Sequence, residues 1–321
     1  DRAFPLDTLP GVTVLGQPFF ASVEDVLRRQ ANSFDVVYLH REDIATRYMA
    51  LVRRNQRRAR VLYSVADLHF LRLARQAAVQ ARPELMAQAS QIRVAEYRAA
   101  LQADAVLTHS DAEAAQLRKD LPQANVHVVP WAIPAQSGSS VRRNGVVFVG
   151  NYAHAPNADA ARWLVDEIMP AVWAADPTIR CTLVGADMPE SLHALTDDRI
   201  RVLGHTQDLG AVLAAHRLSV APLRFGAGIK GKVIESLASG LPCVMTPVAA
   251  EGLALPGALE DLVQGDAAAL AAQIVALHNS PDLSGLVEAG QIFADEGYSS
   301  RAVTTALELA LSERPALQKA G

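Results

Sequence analysis

The sequence predicts an α/β protein of two doubly wound domains facing each other across a cleft. Three observations lead there. Short runs rich in Val, Ile and Leu alternate with longer helical patterns along most of the chain, which implies parallel sheets with helices on both faces. The chain has 321 residues, enough for two domains of ordinary size. The charge is divided as well. Residues 1–140 carry 17 of the 30 basic side chains and 14 of the 34 acidic ones, so the first part is mildly basic and the remainder acidic.

The elements follow in order. Val12–Leu15 is expected as a strand, followed by an amphipathic helix over Val23–Arg29. Asp35–Leu39 and Arg60–Val65 are the next strands, with a helix near Ile44–Arg54 between them. A long helical region, interrupted at Pro83, runs to about Ala103, and strands Ala105–Thr108 and Val126–Val129 follow it. Pro134–Ser140 has the composition of a linker. Beyond it, Gly145–Gly150 reads as a buried strand and Pro156–Ala175 as a helix with proline in its first turn. Cys181–Gly185, Ile200–Leu203, Leu218–Leu223 and Cys243–Thr246 are further strands, and residues from about Ala267 to Glu313 are helical. The domains are therefore expected at 1–137 and 138–297, with a helix over 298–321 packing back towards the first. The chain has no initiator Met and its first half has no glycine-rich turn after an opening strand. A strand–helix unit upstream of this chain is expected.

The composition excludes several classes. With 50% hydrophobic and 20% charged residues and a formal net charge of −4, the chain is neither disordered nor fibrous, and its acidity argues against general nucleic-acid binding. No apolar run reaches the roughly 18 residues that cross a bilayer. Cys181 and Cys243 form no C-x-x-C pair, and no Asp-x-Asp occurs, so a reducing cytoplasm and no metal are expected.

The most informative stretch is Leu218–Gly240, in which a strand enters a glycine-rich turn that opens a helix. Val233, Ile234, Leu237 and Ala238 give the helix its buried face, and Gly240 and Pro242 end it. Glycines such as Gly226 and Gly228 let backbone amides approach an anion, and the helix start adds positive potential. Only four lysines occur in the chain, and Lys230 and Lys232 both fall in this turn. The arrangement suits a diphosphate held without a metal ion. Glu235, three residues after Lys232, could accept both hydroxyls of a ribose. A solvated tight turn is the plain alternative. A dinucleotide fingerprint is another, since Gly226–Gly231 fits G-x-G-x-x-G. It is disfavoured because the turn follows a late strand and Glu251 lies past the next one.

Residues 145–255 resemble the nucleotide-sugar-binding domain of GT-B-fold glycosyltransferases of the family 4 type. The resemblance is carried by GVVFVG with Pro156-Asn157, by PLRFGAGIKGKVIESLASGLPCVMT, and by Glu251-Gly252-Leu253. Residues 35–133 are similar to the acceptor-side domain through VLYSVADLHFLRLARQA, ADAVLTHSDAE and VHVVPWAIP. The resemblance implies two Rossmann-like domains in GT-B architecture, the first shortened at its start, and retaining transfer from a nucleotide-diphosphate sugar. Its type builds bacterial surface polysaccharides, which implies a glycan or lipid-linked acceptor and a cytoplasmic location, peripheral to the inner membrane face. It assigns Glu235 to the ribose, the Lys230/Lys232 turn to the diphosphate and His69 to the cleft. The sequence departs from the family at Ala227, where a glutamate is common, and at Asn151, Tyr152 and His154, where Arg and Lys are common. Arg224 and the two lysines would supply that charge. A non-catalytic nucleotide-sugar-binding module of a polysaccharide-assembly protein is the alternative.

His69, Lys232 and Glu235 are thus the expected catalytic groups, and Arg224, Gly226, Gly228, Lys230 and Asn151 join the last two in binding the donor. His69 follows a strand and could act as an acid–base group or as a structural histidine. Asp67 reads as a helix N-cap or a site residue. Arg72 and Arg75, at i and i+3, could hold an anionic acceptor or form a solvated face. Ser110 with Glu113 reads as a capping box rather than part of a triad with His109 and Asp111. The cluster Arg53, Arg54, Arg57, Arg58 and Arg60 could meet lipid headgroups or end a solvated helix.

Overall fold

A computed structural model describes residues 10–133 and 143–312. The expected linker, Pro134–Ser140, and the residues after Ser312 lie outside that range. The first part runs α1 (Val23–Arg29), β1 (Val36–His40), α2 (Glu42–Asn55), β2 (Arg60–Ser64), α3 (His69–Val79), α4 (Glu84–Gln102), β3 (Ala105–Thr108), α5 (Asp111–Asp120) and β4 (Val126–Val128). Its four strands are parallel and lie in chain order, with Val37 opposite Val61, Tyr63 opposite Val106 and Leu107 opposite His127. Right-handed crossovers laid in one direction put the connecting helices on one face. There α2, α4 and α5 cover Val61, Tyr63 and Val106. Val12–Leu15 is not a strand: it forms no ladder, and Val12 and Val14 are exposed, so β propensity without a partner did not suffice.

The second part runs β5 (Val146–Val149), α6 (Ala155–Trp163), a π-helical turn (Leu164–Ile168), α7 (Met169–Ala175), β6 (Cys181–Val184), α8 (Glu190–His193), β7 (Ile200–Gly204), α9 (Leu209–Ala215), β8 (Leu218–Ala221), α10 (Gly231–Ala238) and β9 (Cys243–Met245). Helices α11 (Pro247–Ala250), α12 (Gly257–Glu260), α13 (Ala267–Asn279), α14 (Ser284–Tyr298) and α15 (Ser300–Ser312) complete it. The expected single helix 156–175 is thus two α-helices joined by a π turn. Pro170, which has no N–H for the ladder, stands just past that turn.

The second sheet has the order β7-β6-β5-β8-β9, all parallel. Its order reverses beside β5, which makes it doubly wound. Val146, Val147 and Phe148 of β5 have no exposed surface, and burying each such side chain stabilises the fold by about 1.5–3 kcal/mol. Both cysteines are buried and free in this core. The chain then returns to the first domain. Ile133 N–H donates to Tyr298 O at 2.8 Å, and Val303, Ala306, Leu307 and Ala310 of α15 cover Leu62, Ala105, Leu107 and Val129 on the face that α2, α4 and α5 leave open. Arg60 Nη2 donates to Ala310 O at 2.7 Å.

Candidate functional site

Open α/β sheets bind ligands outside the carboxyl ends of their strands, where the strand order reverses. Here that point is the crevice between β5 and β8. A cavity of about 490 Å³ opens there, lined by Gly150, Asn151, His154 and Asn157 after β5, and by Gly226–Lys232 and Glu235 after β8. Its opposite wall comes from the first domain: Arg41 after β1, Ala66, Asp67 and Arg72 after β2, and Trp131 after β4. The carboxyl ends of the two sheets therefore face one another across it.

The two lysines enter from the start of α10, which no side chain caps. Lys232 Nζ donates to Asn157 Oδ1 at 2.5 Å and lies 4.5 Å from the centre of the Phe148 ring. Lys230 Nζ donates to Gly228 O. Burial disfavours both charges and pushes Lys232 down to about 7 and Lys230 to about 8. Glu251, Glu113 and Asp67 near Lys230 and Glu235 near Lys232 offset this only in part. Neither ammonium forms a direct ion pair among the described residues, and an anion in the cavity would offset the remaining cost. Burial also raises the Glu235 carboxyl above its ordinary range, with Lys232 opposing the shift.

Close approach of the domains depends on missing side chains. A Cβ on Gly231 would lie 2.3 Å from Trp131 Cζ3, and one on Gly228 would lie 2.9 Å from Asp67 Cβ. Trp131 thus lies directly over the first residue of α10, with its ring edge-to-face with His109 at 5.4 Å. Two first-domain side chains grip the glycine turn. Glu113 Oε1 accepts from Gly228 N–H at 2.7 Å, and Arg75 Nη1 donates to Gly226 O at 2.8 Å. The Gly228 amide is therefore turned to Glu113 and not offered to an anion, against the expectation for that glycine.

Other expected residues are placed as follows. Arg75 does not serve the cavity: its guanidinium binds Glu251 Oε1 and Oε2 at 2.7 and 2.6 Å, a bidentate pair between the domains. Arg224 is likewise held away, paired with Asp159 at 2.6 and 2.8 Å beside a neighbouring hollow. Asp67 is not the cap of α3. Leu68 takes that position, and the His69 and Phe70 amides donate to Glu96 of α4 at 2.8 and 3.2 Å. Asp67 instead accepts from Arg72 Nε at 2.9 Å. Glu96 is nearly fully buried, and its carboxyl is pushed up to about 8. Ser110 caps α5, but Glu113 reaches Leu68 N, Thr108 Oγ1 and Gly228 N, so the capping box is half made.

His69 is the first residue of α3 and is not among the side chains lining the cavity. It stands beside it: burial lowers its pKa, and Arg72, Asp67, Glu42 and Arg41 are its charged neighbours. His154, which does line the cavity, shares Arg72, Arg41 and Asp67 with it and adds Lys232. In the arginine cluster, Arg53 pairs with Asp104 and Arg60 binds α15, which leaves Arg54, Arg57 and Arg58 exposed.

Sequence reasoning did not single out Arg41, Trp131, Glu96 or Glu113 as site residues. Position after a strand end was the available signal for Arg41 and Trp131. The backbone of Arg41 is unusual, with φ 73° and ψ 160°. Glycine enters that region freely, and other residues at a cost of about 1–3 kcal/mol, a strain that tends to be kept at functional sites.

A larger cavity of about 680 Å³ lies between Val128 and Pro130 of the first domain and Leu253, Phe293 and Tyr298 of the second. It is mostly apolar, and its charged groups include Asp111 and Glu296, so it does not suit a phosphate. Among the described residues no group of three His, Cys, Asp or Glu side chains could hold a metal ion. Nor is any described helix long and apolar enough to cross a membrane.

Two parallel-stranded α/β domains facing one another across a cleft make the GT-B fold, and solved structures share it. Residues 143–280, within the second domain, match the family described as Glycosyl transferases group 1. A Klebsiella pneumoniae protein described as an uncharacterized 44.6 kDa protein in the cps region is 22% identical over 174 residues, covering 50% of this chain and 44% of that protein. TarM superposes with a TM-score of 0.72 at 10% identity, over 90% of this chain and 57% of TarM. HepE of Anabaena, in complex with UDP-glucose, gives 0.70 at 16% identity over 90% and 81%. The chain thus spans well under two thirds of the Klebsiella protein and of TarM.

Proposed function

We propose that the chain is a glycosyltransferase that moves a sugar from a nucleotide-diphosphate donor to a glycan or lipid-linked acceptor in polysaccharide synthesis. The observation that carries this reading is the cavity at the β5/β8 reversal, with two lysines that form no ion pair among the described residues, the Glu235 carboxylate beside them and a wall supplied by the other domain. The HepE complex with UDP-glucose and the cps-region relative support it.

In this reading Lys230 and Lys232 meet the diphosphate and Glu235 the ribose. As the bond to the leaving group breaks, positive charge develops on the sugar and negative charge on the departing diphosphate. The lysines and the start of α10 stabilise that negative charge without a metal ion, and the transfer retains anomeric configuration. Asn157 holds Lys232 in place until the anion arrives. Trp131 and Asp67 close the cavity from the first domain and exclude water, the competing acceptor. His69, at the rim, assists at the sugar or the leaving phosphate once the domains have closed. The exposed Arg54, Arg57 and Arg58 are the groups that would meet an anionic membrane face on the cytoplasmic side.

A second reading, a non-catalytic nucleotide-sugar-binding module, draws on Ala227, which lines the cavity with no carboxylate to offer a sugar. Slow release of UDP from UDP-glucose separates the two. An enzyme should release it, Lys232→Ala should abolish the release, and EDTA should leave it unchanged. A chain that binds UDP-glucose without any turnover is the module.

A further inference from the structure

The charge around the cavity is not exhausted by a donor. Two lysines and two arginines line it: Lys230 and Lys232 on the second-domain wall, and Arg41 and Arg72 on the first. Its two carboxylates are Asp67 and Glu235. In the reading above, a diphosphate meets the lysines and Glu235 meets a ribose. Asp67 is engaged through one nitrogen of Arg72, its Nε, at 2.9 Å. Arg41 and the two terminal nitrogens of Arg72 then have no counterpart.

Arg41 is not shared with another group. Among the described residues no ion pair or side-chain hydrogen bond engages its guanidinium. The adjacent Glu42 accepts the Thr46 hydroxyl at 2.7 Å instead. The base of the side chain is held firmly, since Arg41 N–H donates to Ser64 O at 2.9 Å and its carbonyl accepts the Ala45 amide of α2 at 3.0 Å. The backbone is in a region that glycine would occupy without strain. The Arg41 side chain is exposed at the cavity wall, where it places a charge. Arg41 and Arg72 both act on the imidazoles of His69 and His154, so all four occupy one neighbourhood.

We propose that Arg41 and Arg72 form a second anion subsite on the first-domain wall, and that the acceptor is a sugar bearing an oxyanion, either a phosphate or a carboxylate. The inference rests on the donor reading for the position of the nucleotide. Guanidinium groups suit both oxyanions, because their donors form a planar fork that binds two oxygens at once. A neutral sugar would leave Arg41 as it is found.

The test is calorimetric titration of glucose 6-phosphate, glucuronate and glucose into the UDP-saturated protein. At least one anionic sugar is expected to bind tenfold or more tightly than glucose, and comparing the two anions identifies the oxyanion. Arg41→Ala should remove that preference while UDP affinity stays within about twofold. Arg41→Gly should remove it too and also raise the melting temperature, because the strain is relieved; a purely structural arginine would not behave so. The proposal is overturned if the wild type shows no preference, if both variants keep it, or if the anionic sugars compete with UDP. Failure of the wild type to bind UDP would instead remove the donor reading. The same sugars titrated into the nucleotide-free protein would then still decide on Arg41.

Discussion

Glu113 Oε1 accepts the Gly228 amide at 2.7 Å and the Leu68 amide at 2.8 Å. One oxygen on α5 thus joins the loop after β2 to the glycine turn after β8, and its partner oxygen is held by the Thr108 hydroxyl at 2.9 Å. The turn that would receive the diphosphate is shaped from the opposite domain.

Removing this link should loosen the turn. Glu113 is 2% exposed, and losing a buried charged acceptor costs about 1–3 kcal/mol or more. Glu113→Ala should lower stability by that order in denaturant unfolding and speed hydrogen exchange at the Gly228 amide. Glu113→Gln keeps an acceptor for both amides and should leave exchange nearly unchanged. Equal exchange in all three proteins would show that the contact does not hold the turn.

The lysines predict two pH effects of opposite sign. Burial lowers Lys232 to about 7 and Lys230 to about 8 in the free protein, whereas an unfolded lysine titrates near 10.4. Between pH 7 and 9 the unfolded chain therefore binds more protons than the folded one, and the stability of the ligand-free protein should rise with pH, by up to about 1.4 kcal/mol per unit for each lysine. A bound diphosphate favours the charged lysines. Nucleotide affinity should then be flat below about pH 7 and fall above it, with proton uptake on binding near pH 8. Calorimetry in buffers of different ionisation enthalpy reads that uptake; its absence would return the lysines to their ordinary range.

Gly231→Ala should act on the cavity before the fold. The added methyl would meet the Trp131 ring at 2.3 Å, so the indole must move off the start of α10. Donor turnover should fall tenfold or more with a small change in melting temperature. Trp131→Ala, combined with Gly231→Ala, should cost no more than Trp131→Ala alone. Additive losses would show that the two do not share one contact.

His69→Ala should leave nucleotide binding nearly intact and lower transfer about a hundredfold, in the range of lost acid–base or polar assistance. His154→Ala, closer to Lys232, should instead weaken nucleotide binding. A proportional loss of melting temperature and activity in His69→Ala would make it a structural residue.

Much of the second domain was legible in the sequence because its signals are local. The strand into Gly226, the lysines and the apolar face of α10 all fall within Leu218–Gly240, and the strands β5 to β9 lie within a residue or two of their expected positions. The first-domain wall was less legible because its partners are distant in sequence. Arg75 meets Glu251 176 residues away, and Glu113 meets Gly228 115 away, separations that periodicity does not reach. For the same reason Asp67 read as a cap, although Glu96 satisfies the start of α3 from another helix. Val12–Leu15 shows the converse: its pattern is that of a strand, yet no neighbouring strand pairs with it.

In the proposed function the β5/β8 crevice binds a nucleoside diphosphate with Glu235 at the ribose. The most direct measurement is calorimetric binding of UDP, GDP and dTDP to the wild type and to Glu235→Ala. The wild type should bind at least one of them. Glu235→Ala should weaken that nucleotide by about 1–3 kcal/mol, the loss expected for charge-assisted hydrogen bonds to two hydroxyls. Equal affinity in the two proteins, or no binding by the wild type, would contradict it.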